Sequence, residues 1–279
     1  MRVRKRHLPL GWYPGSADEV RRAIAGMLPK AAVSSPGCMA GVAPHAGWEF
    51  SGALALEVFS RISPSMDTLV IIGGHLGPSD GILCAFEDAF ETPLGEIQSD
   101  PELLTGLRSR LRMREDAYAD NTVEIQLPFV KYLFPDARIL GMRAAPSEEA
   151  IKLGEALAQL RVESGKGIAV VGSTDLTHYG DNYGFSPVGR GIKALEWVRE
   201  VNDRRFIECM TGIDAAGAIK RAREEQSACS AGGAIAAMSF AKTLGCTSGT
   251  LVKYATSHDV YPSESFVGYA GLTYSLPGG

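Results

Sequence analysis

No apolar run in the 279-residue chain approaches the roughly 20 residues needed to cross a bilayer, so no membrane span is expected. No long run of one charge occurs either. The 28 Lys and Arg residues are dispersed among 32 Asp and Glu residues. The only basic cluster, Arg2-Val3-Arg4-Lys5-Arg6, reads as a solvated N-terminal arm, and nucleic acid is not an expected partner. No apolar signal core follows it. The five cysteines, at positions 38, 84, 209, 229 and 246, show no C-x-x-C spacing. Their odd number argues against a complete disulfide framework, and a cytoplasmic protein with reduced thiols is expected. Nucleotide signatures are missing too: Gly172-Ser173 and Gly232-Gly233 form neither G-x-G-x-x-G nor a P-loop, and the hydrolase elbow G-x-S-x-G does not occur. Without a linker, a repeat or a low-complexity stretch, the chain reads as one domain over residues 1–279.

What is present is an alternation of short apolar runs with longer helical patterns. Strands are expected at 39–43, 68–72, 81–86, 138–142, 167–171, 251–256 and 266–274. Thr68-Leu69-Val70-Ile71-Ile72, closed by Gly73-Gly74, has the character of a strand buried on both faces. Helices are expected at 16–28, 51–62, 101–113, 124–133, 148–160, 191–210, 214–224 and 231–244. The first opens on Ser16 with Glu19 three residues on, a capping box. This order implies an α/β fold with a central, mostly parallel or mixed sheet flanked by helices, the last two strands pairing antiparallel.

Histidine is scarce, with five in the chain, and three follow predicted strands: His45 after 39–43, His75 after 68–72 and His178 after 167–171. In an open α/β sheet, ligands bind at the carboxyl ends of the strands, so parallel strands would bring these imidazoles to one rim. Cys229 lies just ahead of the 231–244 helix, whose N-terminal dipole favours a thiolate. Two imidazoles and a thiolate could bind Fe(II), Zn(II) or Cu, with a position left open for water or substrate. Asp175, three residues before His178, could orient an imidazole or cap its turn. Glu124 reads as a cap of its own helix or, as the alternative, a polar residue at the same rim, and the other four cysteines as packing residues.

Several segments carry a family resemblance. Gly11-Trp12-Tyr13-Pro14-Gly15, Ala43-Pro44-His45-Ala46-Gly47-Trp48-Glu49-Phe50-Ser51-Gly52, Thr92-Pro93-Leu94-Gly95, Val123-Glu124-Ile125-Gln126-Leu127-Pro128-Phe129, Ser173-Thr174-Asp175-Leu176-Thr177-His178-Tyr179 and Val267-Gly268-Tyr269-Ala270-Gly271 occur in the order seen in the MEMO family. Its prokaryotic members are called AmmeMemoRadiSam system protein B. The family is similar in fold to the class III extradiol dioxygenases, which are non-haem iron(II) enzymes. The resemblance implies metal ligands at His45, His75 and Cys229, with His178 a further site histidine. It also implies association with a radical-SAM pathway partner.

Three departures stand out. Asn121 occupies a position where the family usually has histidine. Gly73-Gly74-His75-Leu76-Gly77-Pro78 differs from the usual G-P-S/N-H, and His258 stands where glycine is usual, as a candidate substitute for the missing imidazole. The reading that follows is an iron(II)-dependent, dioxygenase-like oxidoreductase of unknown substrate, with His178 and Asp175 as catalytic candidates. The alternative is a non-catalytic module binding metal, a small molecule or a peptide in the same cleft. A zinc hydrolase using Cys229 as ligand or nucleophile is a third reading.

Overall fold

The computed structural model describes residues 1–28, 37–118 and 120–276. In chain order the elements are β1 (Val3–Arg4), α1 (Ala17–Met27), β2 (Ala40–Ala43), α2 (Ala53–Phe59), β3 (Thr68–Gly73), β4 (Ile82–Cys84), β5 (Ala89–Thr92), β6 (Gly95–Gln98), α3 (Pro101–Arg108), β7 (Arg114–Glu115), α4 (Asn121–Glu124), α5 (Leu127–Leu133) and β8 (Arg138–Ala144). They continue with α6 (Glu148–Ser164), β9 (Ile168–Ser173), β10 (His178–Tyr179), α7 (Ile192–Trp197), α8 (Asp203–Thr211), α9 (Ala215–Glu225), α10 (Ala231–Thr243), β11 (Thr250–Thr256) and β12 (Phe266–Tyr274).

The centre is four parallel strands in the order β2-β9-β3-β8. Antiparallel strands extend the sheet at each side. β12 pairs with β2 and carries β10 and β11, while β4 pairs with β8 and leads to β7. The sheet is therefore mixed, and the predicted antiparallel pairing of the last two strands is present.

Alternation along β3 explains why its sequence is apolar throughout. Val70 and Ile72 join a cluster with Leu153, Leu157, Ala234 and Met238 from α6 and α10. Leu69 and Ile71 point the other way, into a cluster with Ile24, Leu56, Phe59 and Phe129 from α1, α2 and α5. Both faces of the strand are covered, as expected for parallel strands.

The close approach of α10 to the sheet is the feature that shapes the rim. A Cβ on Gly232 would stand 1.9 Å from the Ala144 carbonyl oxygen, one on Gly233 2.0 Å from that of Ile72, and one on Gly172 2.4 Å from that of Gly233. Gly154 gives α6 the same access to α10, where a Cβ would lie 2.3 Å from the Ala236 carbonyl oxygen. The first turn of α10 thus rests directly on the ends of β3, β8 and β9.

Several expectations are corrected. The basic N-terminal cluster is not a solvated arm: β1 pairs in parallel with β5, which pairs with β6 in a small second sheet, and Arg4 reaches Glu87 at 3.2 Å. The β5–β6 hairpin was illegible because only a few of its residues, Phe90 and Ile97 among them, face the core amid charged neighbours. The helix expected from 51 starts earlier, as a π turn over Trp48–Gly52. The 101–113 helix stops at Arg108, and the 124–133 helix is two pieces, with Pro128 in the first turn of the second. A π turn at Val198–Asn202 interrupts the 191–210 helix. No helix among the described residues is long and apolar enough to cross a membrane.

Gly233→Ala should destabilise the chain by about 1–3 kcal/mol, because the new methyl meets backbone that cannot move aside without displacing α10. Gly26→Ala, in α1 with nothing within 4 Å of its Cβ, should instead be neutral or stabilising by up to about 1 kcal/mol. Urea unfolding midpoints of the two variants check this contrast.

Candidate metal centre

β2, β9 and β3 are neighbours and parallel, so the residues after their carboxyl ends emerge together. His45 follows β2, Asp175 follows β9 and His75 follows β3. The N-terminus of α10 brings Cys229 over the same rim. Ligand atoms of His45, His75 and Cys229 all lie within 4.8 Å of one another, a group that could hold a metal ion.

The His45 loop is held by polar side chains from three directions. Its backbone N–H donates to Asp175 Oδ1 at 2.7 Å, and its carbonyl accepts from Asn121 Nδ2 at 3.3 Å. Gln126 Nε2 donates to the Pro44 carbonyl at 2.8 Å and lies 3.2 Å from Ser173 Oγ. In the ring, Nδ1 is 3.3 Å from Ser173 Oγ, which leaves Nε2 facing the Cys229 sulfur at 3.3 Å. Asp175 therefore fixes the His45 backbone first, and its other oxygen stands 3.8 Å from Nε2.

His75 adopts a left-handed backbone, with φ at 57°, which a non-glycine residue enters only when its surroundings enforce it. Its N–H donates to Ser230 Oγ at 3.2 Å. Ser230 is the N-cap residue of α10, yet its hydroxyl makes no bond to its own helix. Gly73 and Gly74 make this packing possible: a Cβ on the first would collide with Thr122 Oγ1 at 1.8 Å, one on the second with Ser230 Cα at 2.8 Å. The His75 ring stands edge-on to that of His45, centroids 5.1 Å apart, with Nδ1 3.1 Å from Asp120 Oδ2.

Electrostatics bind the three groups to one another. Burial pushes the Cys229 thiol up, but the two imidazoles overcome it and hold the thiol well below its usual value of 9. Burial opposes a charged His45, yet Asp175 and the thiolate raise its pKa to about 9. Burial likewise opposes a charged His75, and Asp120 and the thiolate raise it to about 10. Protons on the imidazoles thus compensate a buried thiolate and carboxylate in the metal-free site, and a cation can take their place.

His178 lies in the same cleft but outside the three-residue group. Its Nδ1 is 3.2 Å from the Leu176 carbonyl oxygen, and its ring meets Tyr183 edge-on at 4.9 Å. The cleft has a volume of about 680 Å³, with Trp12, Phe50, Tyr183, Tyr261 and Tyr269 among its walls.

Two readings are corrected here. Glu124 does not cap its own helix. Its carboxylate is buried and accepts the N–H groups of His7 and Leu8 at 2.9 and 3.1 Å and the Tyr13 hydroxyl at 2.8 Å, while His7 Nδ1 pairs with it. It pins the N-terminal segment beside the cleft. His258 does not replace a missing imidazole: its Nδ1 lies 2.9 Å from the Ser263 carbonyl oxygen, and it lines a neighbouring pocket with Ile192 and Leu195.

The sequence reading missed Asp203. Fully buried, it accepts the Thr177 N–H at 3.0 Å, the Thr177 hydroxyl at 2.5 Å and the Tyr254 hydroxyl at 2.7 Å, fixing the turn that precedes His178. Gly268 leaves room for it, since a Cβ there would stand 1.9 Å from Asp203 Oδ2. Nothing in the polar run Asn202-Asp203-Arg204-Arg205 separates the two inward side chains, Asn202 and Asp203, from the two exposed arginines that follow.

In the metal-free protein, Cys229 should react with iodoacetamide at neutral pH at a rate that barely rises between pH 7 and 9, because its thiolate is already formed. His45→Ala should restore a rising rate over that interval. Mass spectrometry of the labelled peptide measures both, and Zn(II) should protect the sulfur.

Comparison with known proteins identifies the family of the chain. The profile described as "Memo-like protein" matches residues 6–273. A MEMO1 family protein of Methanopyrus kandleri is 32% identical over 285 residues, covering 94% of this chain and 95% of that protein. One from Methanothermobacter thermautotrophicus is 34% identical, covering 83% of each. Among solved structures, an uncharacterized protein from Escherichia coli K12 superposes with a TM-score of 0.53 at 10% identity, over 84% of this chain and 98% of that one, a likeness of fold alone. The chain belongs to the Memo-like protein family.

Proposed function

We propose that this protein is a metal-dependent oxidoreductase, with iron(II) as the metal, acting on a ligand held in the cleft above His45, His75 and Cys229. The observation that carries the reading is the convergence of these three donors at one sheet rim, within 4.8 Å, beside a cleft of about 680 Å³. The donor set fits a transition metal: imidazole suits iron, zinc and copper, and a thiolate adds a soft, charged ligand. Three protein ligands leave coordination positions open, as catalytic sites require. A bound iron(II) would supply redox chemistry that the side chains lack.

The remaining roles fall to the chain's own residues. His178, with Nδ1 directed at the Leu176 carbonyl, has Nε2 free to hold or deliver a proton to a ligand in the cleft. Asp175 keeps His45 in place through its backbone N–H. The thiolate departs from the two-histidine, one-carboxylate arrangement of common non-haem oxygenases, which speaks for redox chemistry other than ordinary ring cleavage. All five cysteines are free, which supports a reducing compartment such as the cytoplasm.

A second reading, a module that binds metal, a small molecule or a peptide without turnover, draws support from the exposed aromatic rim of Phe50, Tyr183 and Tyr261. Metal-dependent O2 consumption that is lost in His45→Ala would separate turnover from binding alone, and elemental mass spectrometry of protein purified without oxygen tests the metal centre on which the first reading stands. About one iron per chain, lost in both His45→Ala and Cys229→Ala, is the expected result. A parent protein that takes up neither iron, zinc nor copper after soaking would overturn the metal centre and leave the binding module.

A further inference from the structure

We propose that a chain of alternating charges, Arg4–Asp116–Arg143–Asp120, positions the His75 ring as a metal ligand and couples the N-terminal strand to metal affinity. The inference rests on the metal-centre reading above.

The chain begins at the ring. Asp120 Oδ2 is 3.1 Å from His75 Nδ1, which leaves Nε2 as the nitrogen free for a metal. A ligating histidine commonly donates its other N–H to a carboxylate, which fixes the ring and raises its basicity. Asp120 is itself clamped. Its Oδ1 accepts the Thr122 N–H at 2.9 Å and the Thr122 hydroxyl, while its Oδ2 also receives Arg143 Nη1 at 3.3 Å. The carboxylate therefore has little freedom to rotate away.

Arg143 is the centre of the chain. It sits on β8 in register with Gly73 of β3, two residues before His75. Its guanidinium grips Asp116 with two bonds, of 2.6 and 3.0 Å, a geometry that lysine cannot reproduce. Nη1 also lies 3.5 Å from the carbonyl oxygen of Gly74, adjacent to His75. One side chain thus steadies both the carboxylate behind the ring and the backbone that carries it.

Arg4 of β1 closes the far end. Its guanidinium donates to the Asp116 backbone carbonyl and stands 3.9 Å from the Asp116 carboxylate and 3.2 Å from Glu87. Three carboxylates, Glu87, Asp116 and Asp120, face two guanidiniums. The chain keeps one negative charge in excess, and it meets His75 at its inner end. A cation on the far side of the imidazole answers that excess, so Asp120 should strengthen metal binding by charge, while Arg143 and Arg4 should strengthen it by position, Arg143 holding Asp120 and Arg4 holding Asp116 against Arg143.

Cobalt(II) titration of the full-length chain, followed by its thiolate-to-metal absorption band, tests the proposal. The parent should bind cobalt, and Asp120→Asn should bind it about 10–100-fold more weakly with a shifted band, while cooperative urea unfolding of the metal-free variant, at a midpoint lowered by the lost Arg143 pair, shows that it is folded. Arg4→Met, far from the cleft, should weaken binding in the same direction by less. Equal affinity in Asp120→Asn and parent overturns the positioning role, and equal affinity in Arg4→Met overturns the coupling to β1. A parent that binds no cobalt fails earlier, at the metal centre itself. A readout independent of any variant is the ¹⁵N spectrum of the zinc-loaded parent. Nδ1 of His75 should carry a proton and Nε2 the metal, and the reverse arrangement overturns the proposal.

Discussion

Everything at the candidate metal centre depends on how closely α10 can approach the sheet. Gly232 and Gly233 place the helix backbone against the carbonyl groups of Ala144 and Ile72, closer than any side chain would permit. That contact sets the height of Cys229 above the rim. The same contact lets Ser230 turn its hydroxyl from its own helix to the His75 N–H. A shift of α10 by the width of a methyl group would separate sulfur from imidazole and release the strained His75 backbone together. Packing density and site geometry are therefore one constraint here, which is why four glycines, Gly154, Gly172, Gly232 and Gly233, gather along one helix interface.

A second tension lies in the charges. A half-buried thiolate and a buried Asp175 would be costly alone; the imidazoles take up protons and hold the thiol well below its usual value, while burial still keeps the Asp175 carboxyl above its own. Such an arrangement is poised rather than settled, because a divalent cation among donors that already lie within 4.8 Å of one another can replace two protons. The support behind it is graded. Asp120 and Asp175 act on the ligand residues directly, Arg143 acts through Asp120, and Asp203 steadies the turn ahead of His178 from beneath.

The strand-end placement of the site was legible from the sequence because two simple patterns coincide. β3 and β9 are apolar at every position but Thr68 and Ser173, since both faces are covered, and each parallel strand ends in a turn carrying a polar residue. His45 and His75 stood out because histidine is rare in the chain, and Cys229 because it precedes a helix of small residues. What stayed hidden was held together by long-range polar contacts. β1 acquires its structure only by pairing with β5, and Glu124 finds its partners more than 100 residues away at His7, Leu8 and Tyr13. No local pattern marks an aspartate as Asp203, buried by tertiary packing, or a glycine as Gly73, required by a threonine hydroxyl 1.8 Å from its missing Cβ.

Asn121 shows how one departure redistributes chemistry within the cleft. Histidine is usual at this position in the resembling family, whereas here the amide donates to the His45 carbonyl at 3.3 Å. The amide helps to hold that loop, but it cannot exchange a proton in the physiological range. Of the remaining imidazoles lining the cleft, two belong to the candidate metal ligands. The third cleft imidazole is His178, whose turn is the one that Asp203, Asn202 and Tyr254 brace from the far side. Among the described residues, the same buried carboxylate that closes the core beneath β12 thus also fixes where that imidazole stands in the cleft.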